Sequence, residues 1–117
     1  MPQDATPQDP HQAAVQHDPA TGRFFLELEG GEARLSYRET NGVMDFYSTW
    51  TTPALRGRGL AAEVVRAGFD HAREHGLRVR PTCPYVHTFL RRYPRYRDLL
   101  AGSGTLASES AESESAG

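Results

Sequence analysis

The stretch "LRGRGLAAEV", residues Leu55–Val64, decides how the rest of the chain is read. Two glycines and two arginines fill positions 56–59, and the composition then turns at once to that of a helix. Glycine gives up much conformational entropy on folding and neighbouring arginines repel, so the junction is expensive as a mere connection. A helix start leaves its first N–H groups without internal partners and carries partial positive charge. Glycine lets the backbone come close to a ligand, and arginine adds full charge around it. The stretch therefore reads as a phosphate or pyrophosphate site at a helix mouth. Two familiar phosphate loops are excluded. No Gly-Lys-Ser/Thr follows, and the three spaced glycines of a dinucleotide fold are missing.

Downstream, the helix is expected from about Leu60 to His75 and stops at Gly76, a residue suited to a helix C-terminus. Leu60, Ala61, Val64, Val65, Gly68, Phe69 and Ala72 make its apolar face, and Glu63, Arg66, Asp70, Arg73 and Glu74 its polar face. His71 and His75 suit the C-terminal end of the helix dipole and are given no chemistry. "LRVRP" (77–81) reads as a short strand and "YVHTFLRRY" (85–93) as a second helix closed by Pro94. Upstream, "RFFLEL" (23–28) and "ARLSY" (33–37) flank the Gly30-Gly31 turn, and Asn41-Gly42 leads into "VMDFYSTWTT" (43–52). Pro53 ends that strand because it cannot donate to a ladder. A three-strand antiparallel meander followed by helix–strand–helix predicts an α+β fold with a mixed sheet.

The 117 residues support one modest domain. Residues 1–19 are rich in Pro, Gln and Asp, residues 102–117 are nearly all small or acidic, and both are expected to be disordered tails around a domain at 20–101. His11 and His17 then become passengers of the first tail. The net charge of −2 hides a split: all 13 basic residues are arginines within 20–100, against nine acidic residues there. From Arg56 to Arg97 ten arginines face only Glu63, Asp70 and Glu74, so this half is built to sit near an anion. A single cysteine, Cys83, excludes an internal disulfide and a cysteine-rich zinc site, and no metal is expected. No stretch approaches the roughly 20 apolar residues of a membrane-spanning helix. The start of the chain lacks the basic and apolar runs of a secretory signal. The simplest expectation is a cytoplasmic, reduced monomer without a membrane partner.

Arg56-Gly57-Arg58-Gly59-Leu60-Ala61 fits the pattern Arg/Gln-x-x-Gly-x-Gly/Ala. It resembles the acetyl-CoA pyrophosphate loop of the GNAT acyltransferase superfamily. "PALRGRGLAAEV", "GLRVRPTCPYV" and "RRYPRYRDLL" extend the likeness, in order and spacing, to the small single-domain branch over roughly Phe24–Leu100. The resemblance implies a GNAT-like mixed sheet and acetyl-CoA as co-substrate. It also implies an amine acceptor, a protein lysine or a small amine. Cofactor contacts are carried onto Trp50, Thr51, Thr52, Arg56, Gly57, Arg58, Gly59, Leu60 and Ala61. Where many members have His-Thr-Glu-Val-Pro, this chain has Thr49-Trp50-Thr51-Thr52-Pro53, so the glutamate that would serve as general base is a threonine. Where His-Pro-Glu-Tyr is usual, it has Tyr93-Pro94-Arg95-Tyr96.

Acetyl transfer from a thioester needs an unprotonated amine, a polarised carbonyl and a proton for the leaving thiolate. As the resemblance implies, backbone N–H groups at the end of the 43–52 strand polarise the carbonyl and Cys83 faces the acetyl end. A helix start and nearby arginines favour a reactive thiolate at Cys83, while a lone cysteine is as readily a small buried hydrophobe. Of Tyr85, Tyr93 and Tyr96, Tyr85 is the best placed proton donor. Asp45 lies too early in its strand to be the base, and His87 is a weaker candidate. Cys83 and Tyr85 are therefore the catalytic candidates, with direct attack by the amine favoured. Two rivals stand beside this reading: a coenzyme A-binding module without catalysis, and a nucleic-acid module built on "RRYPRYR" (91–97), where arginine alternates with tyrosine.

Overall fold

A computed structural model describes residues 15–101. Five strands form one sheet: β1 (Gln16–Asp18), β2 (Arg23–Leu28), β3 (Gly31–Thr40), β4 (Val43–Thr51) and β5 (Arg78–Pro81). Their order in the sheet is their order in the chain. β1 to β4 pair antiparallel, and β5 joins β4 in parallel through helix α1 (Leu60–Glu74). Helix α2 (Pro84–Arg92) follows, then a 3-10 helix over Pro94–Leu99. The α+β class, the mixed sheet and the helix–strand–helix order agree with the sequence reading.

Period-two burial in the strands explains the layering. Phe24 and Leu26 of β2, Ala33, Leu35 and Tyr37 of β3, and Met44 and Phe46 of β4 point to one face and are buried. The buried stripe of α1, Leu60, Val64, Val65, Gly68, Phe69 and Ala72, covers that face. Gly68 sets how closely it lies. A Cβ there would stand 2.7 Å from Leu35 Cδ2 and 2.9 Å from Phe46 Cζ. On the polar face of α1, Asp70 accepts a hydrogen bond from Tyr96 Oη (2.9 Å) and Arg73 grips Asp98 through both carboxylate oxygens. These bonds dock the 3-10 helix.

The sheet is one strand larger than expected. Gln16–Asp18, assigned from composition to a disordered tail, forms edge strand β1 against Arg23–Phe25. A domain boundary at residue 20 would cut it away; residues 1–14 and 102–117 lie outside the described residues. His17 is no passenger. Its ring stacks on Phe24 (4.1 Å between centroids) and meets His71 edge-on (4.6 Å), and His75 stacks on His71 at 4.1 Å. Its Nε2 shares a hydrogen bond with Tyr37 Oη.

This cluster makes stability sensitive to acid. Burial, then the neighbouring His71, holds His17 below its ordinary 6.5; burial, then His75, does the same to His71. Asp18, Glu39 and Glu74 pull the other way and do not cancel these effects. Since the folded imidazoles resist protonation, the unfolded chain binds more protons below pH 6.5, and stability falls as pH drops through that value. The melting temperature should decline between about pH 7 and pH 5, and His71→Gln should flatten that decline. An unchanged slope in the variant would remove His71 from the account.

Candidate active site

β4 and β5 share only four register pairs, Val43–Phe46 with Arg78–Pro81. The chain then leaves β4: Cys83 N donates to Phe46 O (2.9 Å) and α2 begins at Pro84. From this point the two strands fork. A bulge sharpens the bend, because the register passes from Ser36–Ser48 to Tyr37–Phe46 and leaves Tyr47 as an extra residue in β4.

The rest of β4 forms one wall of the fork. Thr52 N donates to Glu32 O (2.9 Å), and hydrogen bonding in an antiparallel ladder alternates. Trp50 and Ser48, opposite Arg34 and Ser36, thus turn their main-chain groups toward β3. Thr49 and Thr51 turn theirs toward the fork. In keeping with this, Thr51 O accepts from Arg56 Nε at 2.9 Å.

The "LRGRGLAAEV" stretch forms the second wall. A 3-10 turn (Pro53–Leu55) buries Leu55, and Gly57 (φ +85°) and Gly59 (φ +77°) adopt left-handed backbone that other residues avoid. A Cβ on either would meet nothing within 4 Å, so both face open space. Gly59 caps the start of α1, with no side chain bonded to the cap. The first N–H groups of the helix are left for a ligand or solvent. Across from the loop, α2 supplies Tyr85 and Arg92.

Together these walls enclose a cleft of about 500 Å³. Its lining includes eight of the eleven residues singled out from sequence: Trp50, Thr51, Arg56, Gly57, Gly59, Leu60, Ala61 and Tyr85. Three lie elsewhere. Thr52 locks the end of β4 to the start of β3, its hydroxyl accepting from Glu32 N at 3.0 Å and its own N–H donating to Glu32 O. Among N–H groups at the end of β4, Thr51 is therefore directed to the cleft and Thr52 is not. Arg58 is exposed outside the lining. Cys83 is buried and stands behind the wall, its Sγ 3.5 Å from the Oγ1 of Thr49, which does line the cleft.

Thr49, Leu55 and Arg92 line the cleft without having been singled out. The seven-residue spacing of Tyr85 and Arg92 on one helix was the signal for Arg92. Burial pushes the Tyr85 phenol above its ordinary value, against a smaller opposing pull from Arg92. At neutral pH it is a protonated hydroxyl, able to donate.

The other candidates lie outside the cleft lining. Tyr96 is buried and bonded to Asp70, and Tyr93 lies beneath the guanidiniums of Arg66 (5.0 Å) and Arg95 (5.7 Å). Both rings of "RRYPRYR" are thus engaged within the chain, Tyr96 by burial and Tyr93 by its neighbouring guanidiniums. Asp45 accepts from Thr82 Oγ1, and His87 is exposed outside the lining. Trp50 is the exposed large hydrophobic residue among those described, and Arg56 (5.1 Å) and Arg34 (6.0 Å) stack on its ring.

A sheet forked between β4 and β5, beside a glycine loop that opens the main helix, defines a GNAT-type α+β architecture. The chain belongs to the family of GCN5-related N-acetyl-transferases, whose sequence profile matches residues 23–99. It is similar to Protein NATD1 of Bos taurus, 32% identical over 96 residues that cover 77% of this chain and 85% of the relative. It is also similar to Protein NATD1 of Homo sapiens, 30% identical over 83 residues covering 68% and 74%. The solution NMR structure of a GCN5-like protein from Staphylococcus aureus shares the fold, with TM-score 0.60 at 20% identity over 81% of this chain and 94% of that one.

Proposed function

We propose that this protein transfers the acetyl group of acetyl-CoA to an amine, a protein lysine or a small amine, by direct attack. One observation carries the reading. The uncapped, glycine-opened start of α1 and the outward-turned edge of β4 line the same cleft of about 500 Å³. The residues present fit an elongated ligand with an anionic end. Gly57, Gly59, Leu60 and Ala61 offer the backbone and dipole of a helix start to a pyrophosphate. Thr49 and Thr51 present main-chain groups along the path that an amide-containing arm would follow. Acetyl-CoA, when bound, supplies the activated acyl group. Tyr85, kept protonated by burial, is the proton donor for the leaving sulfur.

Among the described residues no carboxylate or imidazole belongs to the cleft lining, so the proton of the amine goes to solvent. Cys83 acts from behind Thr49 as a positioning group, not as an acyl carrier. Tyr85→Phe should lower kcat by about a hundredfold, the lower range for losing a positioned acid. Cys83→Ser should lower it less than tenfold, and intact mass should show no acetylated protein before amine is added. Loss of all turnover in Cys83→Ser, with an acetyl adduct on the native chain, would replace direct attack by a covalent route. The lack of a lining base also supports a second reading, coenzyme A binding without turnover. Acetyl-CoA that raises the melting temperature yet is never consumed across a panel of amines and peptides would select it.

A further inference from the structure

Arg92 gives the cleft a charged residue on the wall opposite the glycine loop. Its position follows from how α2 is anchored at both ends. At the start, Cys83 is tied to Phe46 and Thr49, so α2 sets out from the fork. At the other end, Tyr93 lies under Arg66, in the second turn of α1, the helix that the loop opens. α2 thus runs from fork to loop. Tyr85 and Arg92, seven residues apart on one side of it, are separated by about 10 Å along the axis.

The two arginines of the cleft are in different states. Arg56 is committed: its Nε donates to Thr51 O and its guanidinium covers Trp50. Arg92 is exposed, and among the described residues no carboxylate pairs with it. The helix dipole favours a cation in this last turn, and Arg91 satisfies that preference from outside the cleft, bonded to Thr88 Oγ1 at 3.2 Å. The dipole does not explain why Arg92 lines the cleft.

Coenzyme A carries two separate anionic groups, a pyrophosphate and a phosphomonoester on the ribose 3′ oxygen. Backbone donors of the loop suit the first. We propose that Arg92 binds the 3′-phosphate from the opposite wall, so that the cleft selects coenzyme A over 3′-dephospho-coenzyme A. This rests on the coenzyme A reading above and adds a specificity residue to it. A guanidinium on a phosphomonoester makes charge-assisted hydrogen bonds whose loss is read as roughly a ten- to hundredfold change in affinity.

Calorimetric titration of the full chain with coenzyme A and with 3′-dephospho-coenzyme A tests the proposal. The native protein should prefer coenzyme A by roughly tenfold or more. Arg92→Gln should bring the ratio close to one while leaving the affinity for the dephospho compound within twofold, and Arg92→Lys should keep part of the preference. The exposed side chain can be changed without unfolding the protein, which a matching melting temperature will verify. Equal weakening of both ligands by Arg92→Gln would overturn the assignment and move Arg92 to the pyrophosphate. Equal binding of both by the native chain would overturn it while leaving the coenzyme A reading standing. Binding of neither would overturn both.

Discussion

Gly59→Ala should abolish coenzyme A binding in a protein that still folds, and Gly42→Ala should leave binding intact. The two glycines make a matched pair. Both hold left-handed backbone, φ +77° and φ +80°, and at both an added Cβ meets nothing within 4 Å. Each alanine therefore carries the same backbone cost of about 1–2 kcal/mol, and no clash in the free protein. That cost should appear as a fall of several degrees in melting temperature in both variants, at about 4–8 °C per kcal/mol for a domain of this size. They differ in place. Gly42 turns the hairpin between β3 and β4, whereas Gly59 lines the cleft at the mouth of α1. The methyl at 59 occupies space that the anion needs, and affinity should fall at least a hundredfold, the loss of more than one charge-assisted bond. Equal affinities for the two variants would show that the loop is only a connection.

Phe69→Ala should take away a large part of the fold's stability. Phe69 is fully buried on α1 and touches three aromatic rings from three other elements. It meets Phe46 of β4 edge-on at 5.2 Å, Phe89 of α2 face-on at 5.6 Å, and Tyr96 of the 3-10 helix at 5.3 Å. Its removal leaves a cavity between sheet and both helical elements, at a cost of about 3–5 kcal/mol. A domain of this length has about 4–13 kcal/mol in total. Urea unfolding should show a much lower midpoint, and Phe69→Leu should lie between the two. A loss below 1 kcal/mol would mean that the neighbouring rings collapse into the gap and that the site does not depend on this contact.

The loop was legible because its chemistry is local. Glycines, arginines and a helix start are adjacent in sequence, and their meaning depends little on what packs around them. The α1 stripe and the meander were legible for the same reason, since period and turn residues lie within a few positions. β1 was missed because three residues carry no period, and "QHD" borrows its burial from Phe24, Tyr37 and His71. Thr52 and Thr51 could not be told apart by type; the ladder's alternation sends one to Glu32 and the other to the cleft. Arg92 was one arginine among several in a basic run, and its seven-residue spacing from Tyr85 singles it out only once α2 is seen to turn Tyr85 to the cleft. The place of Cys83 behind Thr49 needed the fork, which the bulge at Tyr47 helps to create and no residue type announces.

Sheet edges invite other strands, and this molecule closes most of its own. β1 offers only three residues, followed by Pro19, which cannot donate. On the far side, β5 is covered as the chain returns: Leu100 bridges Val79, and Ala101 N donates to Val79 O at 2.8 Å. Among the described residues, the last part of β4, from the fork to Thr51, is left without a neighbouring strand on its fork side, with Arg56 standing over its final carbonyl. On the coenzyme A reading proposed above, that edge is also where the ligand's extended arm would lie. Without ligand, its main-chain groups are free to pair with a strand of another molecule. An opening shaped to admit a ligand is thus also a point of exposure to self-association, and occupancy of the cleft would protect it in the way a sixth strand would.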